Sequence, residues 1–191
     1  MAVRGRGGAE MDVINDALGI VAETLNRAMQ MVTRRPDACV IIASPLDGQG
    51  KPDEALRNKI VMALYHIEVG KPTAESLSGG RAKVANGLPV VTLHVALLSN
   101  YAAQAYVSGL DELGRAMGIL SHYPSLDHRN TPTLSPRIER VAIDRLGLTP
   151  AEGGAILALL GITYRPSQCY RLRVKMSAGA QGPAEPMPAP E

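Results

Sequence analysis

Between Leu120 and Pro132 the chain reads LSHYPSLDHRNTP, which puts His122, Asp127 and His128 within seven residues. Two imidazoles and a carboxylate are the donor types of a catalytic zinc site, whose chemistry would be hydrolysis by a metal-activated water. The spacing argues against that use. Nothing in the stretch matches HExxH, which sets two histidines one turn apart on one helix face. His122 closes a predicted helix, where an imidazolium is a favourable partner for the helix dipole. Asp127 and His128 fall in the proline-rich loop beyond it. The three residues read better as the polar rim of a contact surface. A metal-dependent hydrolase stays as a remote alternative, and no metal or cofactor is expected.

A second group is Arg171, Arg173 and Lys175 in CYRLRVKM, Cys169 to Met176. They alternate with Tyr170, Leu172, Val174 and Met176, the period of a strand with one wet face. These cations are candidate interface charges, with an ordinary solvent face as the alternative. His66 and His94 lie in two long strand-like runs and are candidates to pair across a sheet, although a histidine of the core or rim is the commoner outcome.

Composition narrows the partners. Twenty Lys and Arg against eighteen Asp and Glu leave +2, too little to argue nucleic-acid binding from field alone. With no Phe, no Trp and six Tyr, there is no stacking platform for single strands. No apolar run approaches the ~18 residues of a membrane span. Neither nucleic acid nor membrane is therefore expected as a partner. At 46% hydrophobic the chain can bury a core, which must be built from Leu, Val, Ile, Ala and Met. Cys39 and Cys169 sit in apolar runs without CxxC spacing and read as buried, reduced thiols.

The elements that would position these groups follow from periodicity. Ile14, Leu18, Val21, Leu25 and Met29 predict an amphipathic helix from Asp12 to Thr33, ended by Pro36. CVIIAS reads as a buried strand. NKIVMALYHIEV and PVVTLHVALLS read as two long strands of a hairpin with an extended tip at Ser76 to Lys83. In the first of them Val61, Ala63, Tyr65, Ile67 and Val69 share one face. A second helix, Tyr101 to His122, carries a stripe of Tyr106, Leu110, Leu113, Met117 and Leu120; its Gly109, Gly114 and Gly118 suggest close packing. RIERVAIDRL is a half-exposed strand. LTPAE opens a third helix with Thr149 as N-cap, Pro150 and Glu152, and Gly161 stops it. The sum is an α/β protein: a single mixed sheet of about five strands with helices packed on it. The domain is expected over residues 12–177, with a disordered extension at 1–11 and a disordered Pro/Ala-rich tail at 178–191.

In order and spacing these motifs resemble the N-terminal domain of the cap, or tail-terminator, proteins of extracellular contractile injection systems, the virulence-cassette and antifeeding-prophage type. The likeness runs from about Val13 to Met176. It includes INDAL at Ile14 to Leu18, NKIVMALYHIE from Asn58, PVVTLHVALLSNY ending at Tyr101, HYP, the NTP of Asn130 to Pro132, and IERV at Ile138 to Val141. The most specific piece is LTPAE followed by LLGITYRPSQCYRLRV, with Gly161, Tyr164, Pro166 and Tyr170 at the family's spacing. Where the family places Trp in the third helix, this chain has Leu157. The resemblance implies a phage tail-terminator-like fold, a homohexameric ring, and the inner tube and sheath proteins as partners. It implies no catalytic residues. A short paralogue acting as an adaptor, docking through its PAEPMPAPE tail, is the alternative.

Overall fold

The apolar period of the first segment is realised as α1, Gly7–Thr33. Val13, Ala17, Val21, Leu25 and Met29, four residues apart, are wholly buried along it. The computed structural model describes residues 7–33, 37–70 and 90–177, with 7–11 by their backbone. α1 thus begins ahead of Asp12, and residues 7–11, expected in a disordered extension, continue the helix. Residues 1–6, the hairpin tip and the tail at 178–191 lie outside the described residues.

The remaining elements are β1 (Val40–Ile42), β2 (Lys59–Gly70), β3 (Val90–Asn100), α2 (Tyr106–His122), β4 (Ser125–Asp127), β5 (Ile138–Arg145), α3 (Pro150–Leu159) and β6 (Ser167–Met176). The described strands form one mixed sheet in the order β1-β2-β3-β6-β5-β4. β1 runs parallel to β2, and the other neighbours are antiparallel. Six strands replace the expected five because Ser125–Asp127, read as loop, pairs with Ala142, Val141 and Arg140. β1 is an edge strand, buried at Val40 and exposed at Ile42, and so only partly the buried strand expected.

The sheet's two faces are covered unequally. α1 and α2 pack along one, over Ile60, Met62, Leu93, Val95, Leu97, Leu172 and Val174. Among the described residues α3 alone of the α-helices lies on the other, covering one end of it over Val61, Ala63, Ala96, Leu98 and Cys169. α3 starts as the sequence indicates: Thr149 accepts from the Glu152 amide and Glu152 reaches back to the Thr149 amide. Gly161, at φ 73°, ends that turn against Leu46.

α1 reaches from one side of the sheet to the other. Near its start Asp12 pairs with Arg137 at 2.7 Å. Farther on, Asn26 accepts from the amides of Cys39 and Val40 and donates to the Val40 carbonyl, fixing the edge strand to the helix.

Two expectations about faces fail for identifiable reasons. A bulge between Leu64 and His66 sets His66 opposite His94 and Ile67 opposite Leu93. Ile67 and Val69 therefore leave the face of Val61 and Ala63, and His66 and Glu68 take it instead. In α2 the buried set is Gly109, Glu112, Leu113, Ala116 and Leu120, while Tyr106 and Leu110 are exposed. The pivot is Tyr101, which precedes the helix, lies beneath it and donates its hydroxyl to the buried Glu112.

Gly109 alone of the three α2 glycines is packed: a Cβ there would stand 2.5 Å from Ser99 Oγ and 2.6 Å from Tyr101 Cγ, whereas at Gly114 and Gly118 it would meet nothing within 4 Å. Gly109→Ala is expected to destabilise by about 1–3 kcal/mol through overpacking. Gly114→Ala is expected to stabilise by up to about 1 kcal/mol. Urea unfolding of the two variants checks both signs.

Candidate functional site

The LSHYPSLDHRNTP stretch does not gather its three chemical residues around one point. His122 ends α2, is exposed, and meets Tyr123 edge-on, with ring centroids 5.1 Å apart. Asp127 ends β4 and accepts from the amides of Arg129 at 2.9 Å and Asn130 at 3.3 Å, closing a tight turn. Asn130 returns the favour, accepting from the Asp127 amide and donating to the Ser125 carbonyl. His128 has Nε2 2.9 Å from the Ile138 carbonyl; as the N–H tautomer it donates there and pins the turn to β5. Among the described residues no three His, Cys, Asp or Glu side chains come together in a way that would hold a metal. The residues act as clips within a polar rim.

Electrostatics agree with that role. The Arg129 amide above all holds the Asp127 carboxyl below its ordinary range; desolvation, next in size, opposes it, and the Asn130 amide and the charges of Arg140 and Arg129 add to the lowering.

Arg171, Arg173 and Lys175 do point from the uncovered part of the sheet face, but they are not unpaired. Arg173 Nε lies 2.9 Å from Asp144 Oδ2, Arg171 Nη2 lies 3.4 Å from the same oxygen, and Lys175 Nζ lies 2.9 Å from Glu139. Two guanidinium groups share one carboxylate, so this part of the face keeps a small positive excess.

The row continues into β3 and β2. Arg171 stands opposite His94, and His94 opposite His66, with their rings 5.4 Å apart. The two histidines, candidates to pair across the sheet, do stand opposite each other. Glu68 joins them, 3.1 Å from His94 Nε2 and 3.5 Å from His66 Nε2. The His94 contact lacks the alignment of a hydrogen bond. The result is a band of charged and chargeable groups running His66, Glu68, His94, Arg171, Asp144 and Arg173 across four strands.

Where the band meets the α3-covered end, burial above all, then the neighbouring Cys169, pushes the Tyr65 hydroxyl up to about 12. Burial likewise raises the Cys169 thiol, with Tyr65 opposing. Cys39 and Cys169 are both buried and unbridged. They are structural thiols, as their apolar surroundings indicated.

Sequence reasoning missed the shared Asp144, because a cross-strand ion pair depends on register. It also missed an apolar groove of about 310 Å³ where the C-terminal turns of α1 and α2 meet, lined by Met29, Val32, Gly118, Ile119 and Tyr123, with His122 and Arg115 at its exposed edge.

The family described as Pvc16 N-terminal domain matches residues 18–190. The chain belongs to that family. As a Pvc16-family protein it is a component of a contractile injection system, a phage tail-like particle. No curated protein matches the chain. Among the described residues of this family member, no helix is long and apolar enough to cross a membrane.

The turn closed by Asp127 yields a pH-dependent expectation. Its folded carboxyl titrates below the unfolded value of about 3.9, so it adds stability above that pH and loses it as pH falls through the folded value. Asp127→Ala should therefore lower the urea midpoint at neutral pH, and the difference from the parent should close on acidification. A constant gap across that titration would assign the loss to packing instead.

Proposed function

We propose that the chain is the tail terminator, or cap, of its particle: a hexameric ring that closes the end of the inner tube and of the surrounding sheath. Its partners in this reading are further copies of itself, the tube protein and the sheath protein. It is not an enzyme, takes no cofactor and engages neither nucleic acid nor membrane. Family membership over residues 18–190 supports a place in the particle.

The observation that carries the reading further is the half-covered sheet face. Its arginines, lysine and carboxylates already engage one another before any partner arrives. Side chains ordered in advance lose less entropy on docking. A broad, rigid, nearly charge-balanced surface suits a repetitive protein lattice better than it suits a small substrate, which calls for a concave and mostly apolar site.

Electron microscopy of the cognate tube protein assembled with and without this chain tests the proposal. Tubes of limited length with a plug of density at one end are expected. Tubes of unchanged length with bare ends would leave the family assignment standing and move the role to an adaptor. On the same assay, Arg171→Glu with Arg173→Glu is expected to abolish plugging while the circular dichroism spectrum is retained. Intact plugging by that variant would remove the charged band from the interface.

A further inference from the structure

The apolar groove has a counterpart on the same molecule. At the opposite end of α2, Tyr106, Val107 and Leu110 form an exposed ridge, with Val107 70% open. Tyr164, which is 65% open, stands beside it, its hydroxyl 3.5 Å from that of Tyr106. The groove and the ridge are separated by about eleven residues of helix, or roughly 16 Å. One is concave, the other convex, and both are apolar.

Their edges carry opposite charge. Arg115 flanks the groove, and Asp111 is exposed next to Leu110 on the ridge. Neither Asp111 nor Arg115 forms an ion pair with a described residue of its own chain, and both are exposed. Gly114 lies between the two surfaces and Gly118 in the groove wall; both are exposed, and a Cβ at either would meet nothing within 4 Å in the isolated subunit. Glycine on an exposed helix face weakens the helix, and its benefit is close approach of another backbone.

We infer that the groove at the C-terminal ends of α1 and α2 receives the Tyr106/Val107/Leu110 ridge of a second copy of this chain, head to tail. The two surfaces differ, so the contact is heterologous, and such contacts close into rings when their rotation permits. The inference rests on the ring reading above, to which it assigns a subunit junction. Tyrosine, present in the ridge as Tyr106 and beside it as Tyr164, is among the residue types enriched at protein interfaces.

Complementation of two defective variants tests it. Val107→Glu with Leu110→Glu destroys the ridge, and Val32→Glu with Gly118→Glu destroys the groove. The substituted side chains are solvent-facing, so both variants should fold. By sedimentation velocity the parent is expected to self-associate and each variant alone to remain a monomer. An equimolar mixture should give one-to-one dimers, because each mixed pair retains a single intact junction. Variants that associate like the parent, a mixture that stays monomeric, or a parent that is monomeric both in solution and on tube ends would overturn the inference.

Should either glutamate variant misfold, Val107→Cys and Gly118→Cys in separate copies provide a second test. Oxidation is expected to link them between copies, and no cross-link would count against the junction. The cap reading is judged separately. A parent that associates through this junction but leaves tube ends bare keeps the junction and rejects the cap. Plugged tubes with rings insensitive to these substitutions do the reverse.

Discussion

The structure depends on an asymmetry within β3. At its C-terminal end the strand is apolar on both sides, with Val95 and Leu97 facing the long helices and Ala96 and Leu98 facing α3. Toward its start one side becomes Thr92 and His94 while the other stays Val91 and Leu93. A strand that changes from two-sided to one-sided burial can be covered by a full layer on one face and only a partial layer on the other. The position of α3 follows from this, as does the partial exposure of the cations on β6, whose charged ends escape the desolvation cost of full burial.

The bulge at Tyr65 extends the same logic to β2. Without it, His66 and Glu68 would lie on the face of the long helices, away from His94 and Arg171. One additional residue reverses the assignment and aligns the polar groups with His94 and Arg171. The resulting band is held by exposed pairs, each of which contributes little to stability in water. Its value is geometric: the side chains occupy defined positions, and the face presents an ordered array. Such a surface is consistent with a particle component that must match a lattice.

Much of this was legible from residue order. The stripe of α1, the capping box at Thr149, the stop at Gly161, the alternation of β6 and the family motifs all depend on local chemistry and appear where that chemistry places them. What was not legible depends on register and tertiary contact. Ser125–Asp127 looked like loop because three residues carry too little periodicity to declare a strand. The α2 stripe was assigned to Tyr106 and Leu110 because both are large and apolar, whereas Tyr101 takes the space beneath Gly109. Asp144 shared by two arginines, the groove at the helix ends and the buried Glu112 all arise from neighbours distant in sequence. The histidine pair was legible as a candidate because it required only that two adjacent runs form a hairpin.

The pairing of the three long strands has a practical corollary. Gly70 stands opposite Val90, and Val90 opposite Lys175, so the chain leaves β2, enters β3 and leaves β6 at one end of the sheet. Neighbouring strands lie about 5 Å apart. A fluorophore, affinity tag or fused domain attached beyond Ser177 therefore begins its path beside the hairpin, on the side away from Tyr106 and Tyr164. The molecule has a natural handle at one pole and an unencumbered apolar surface at the other, which makes it suitable for oriented immobilisation.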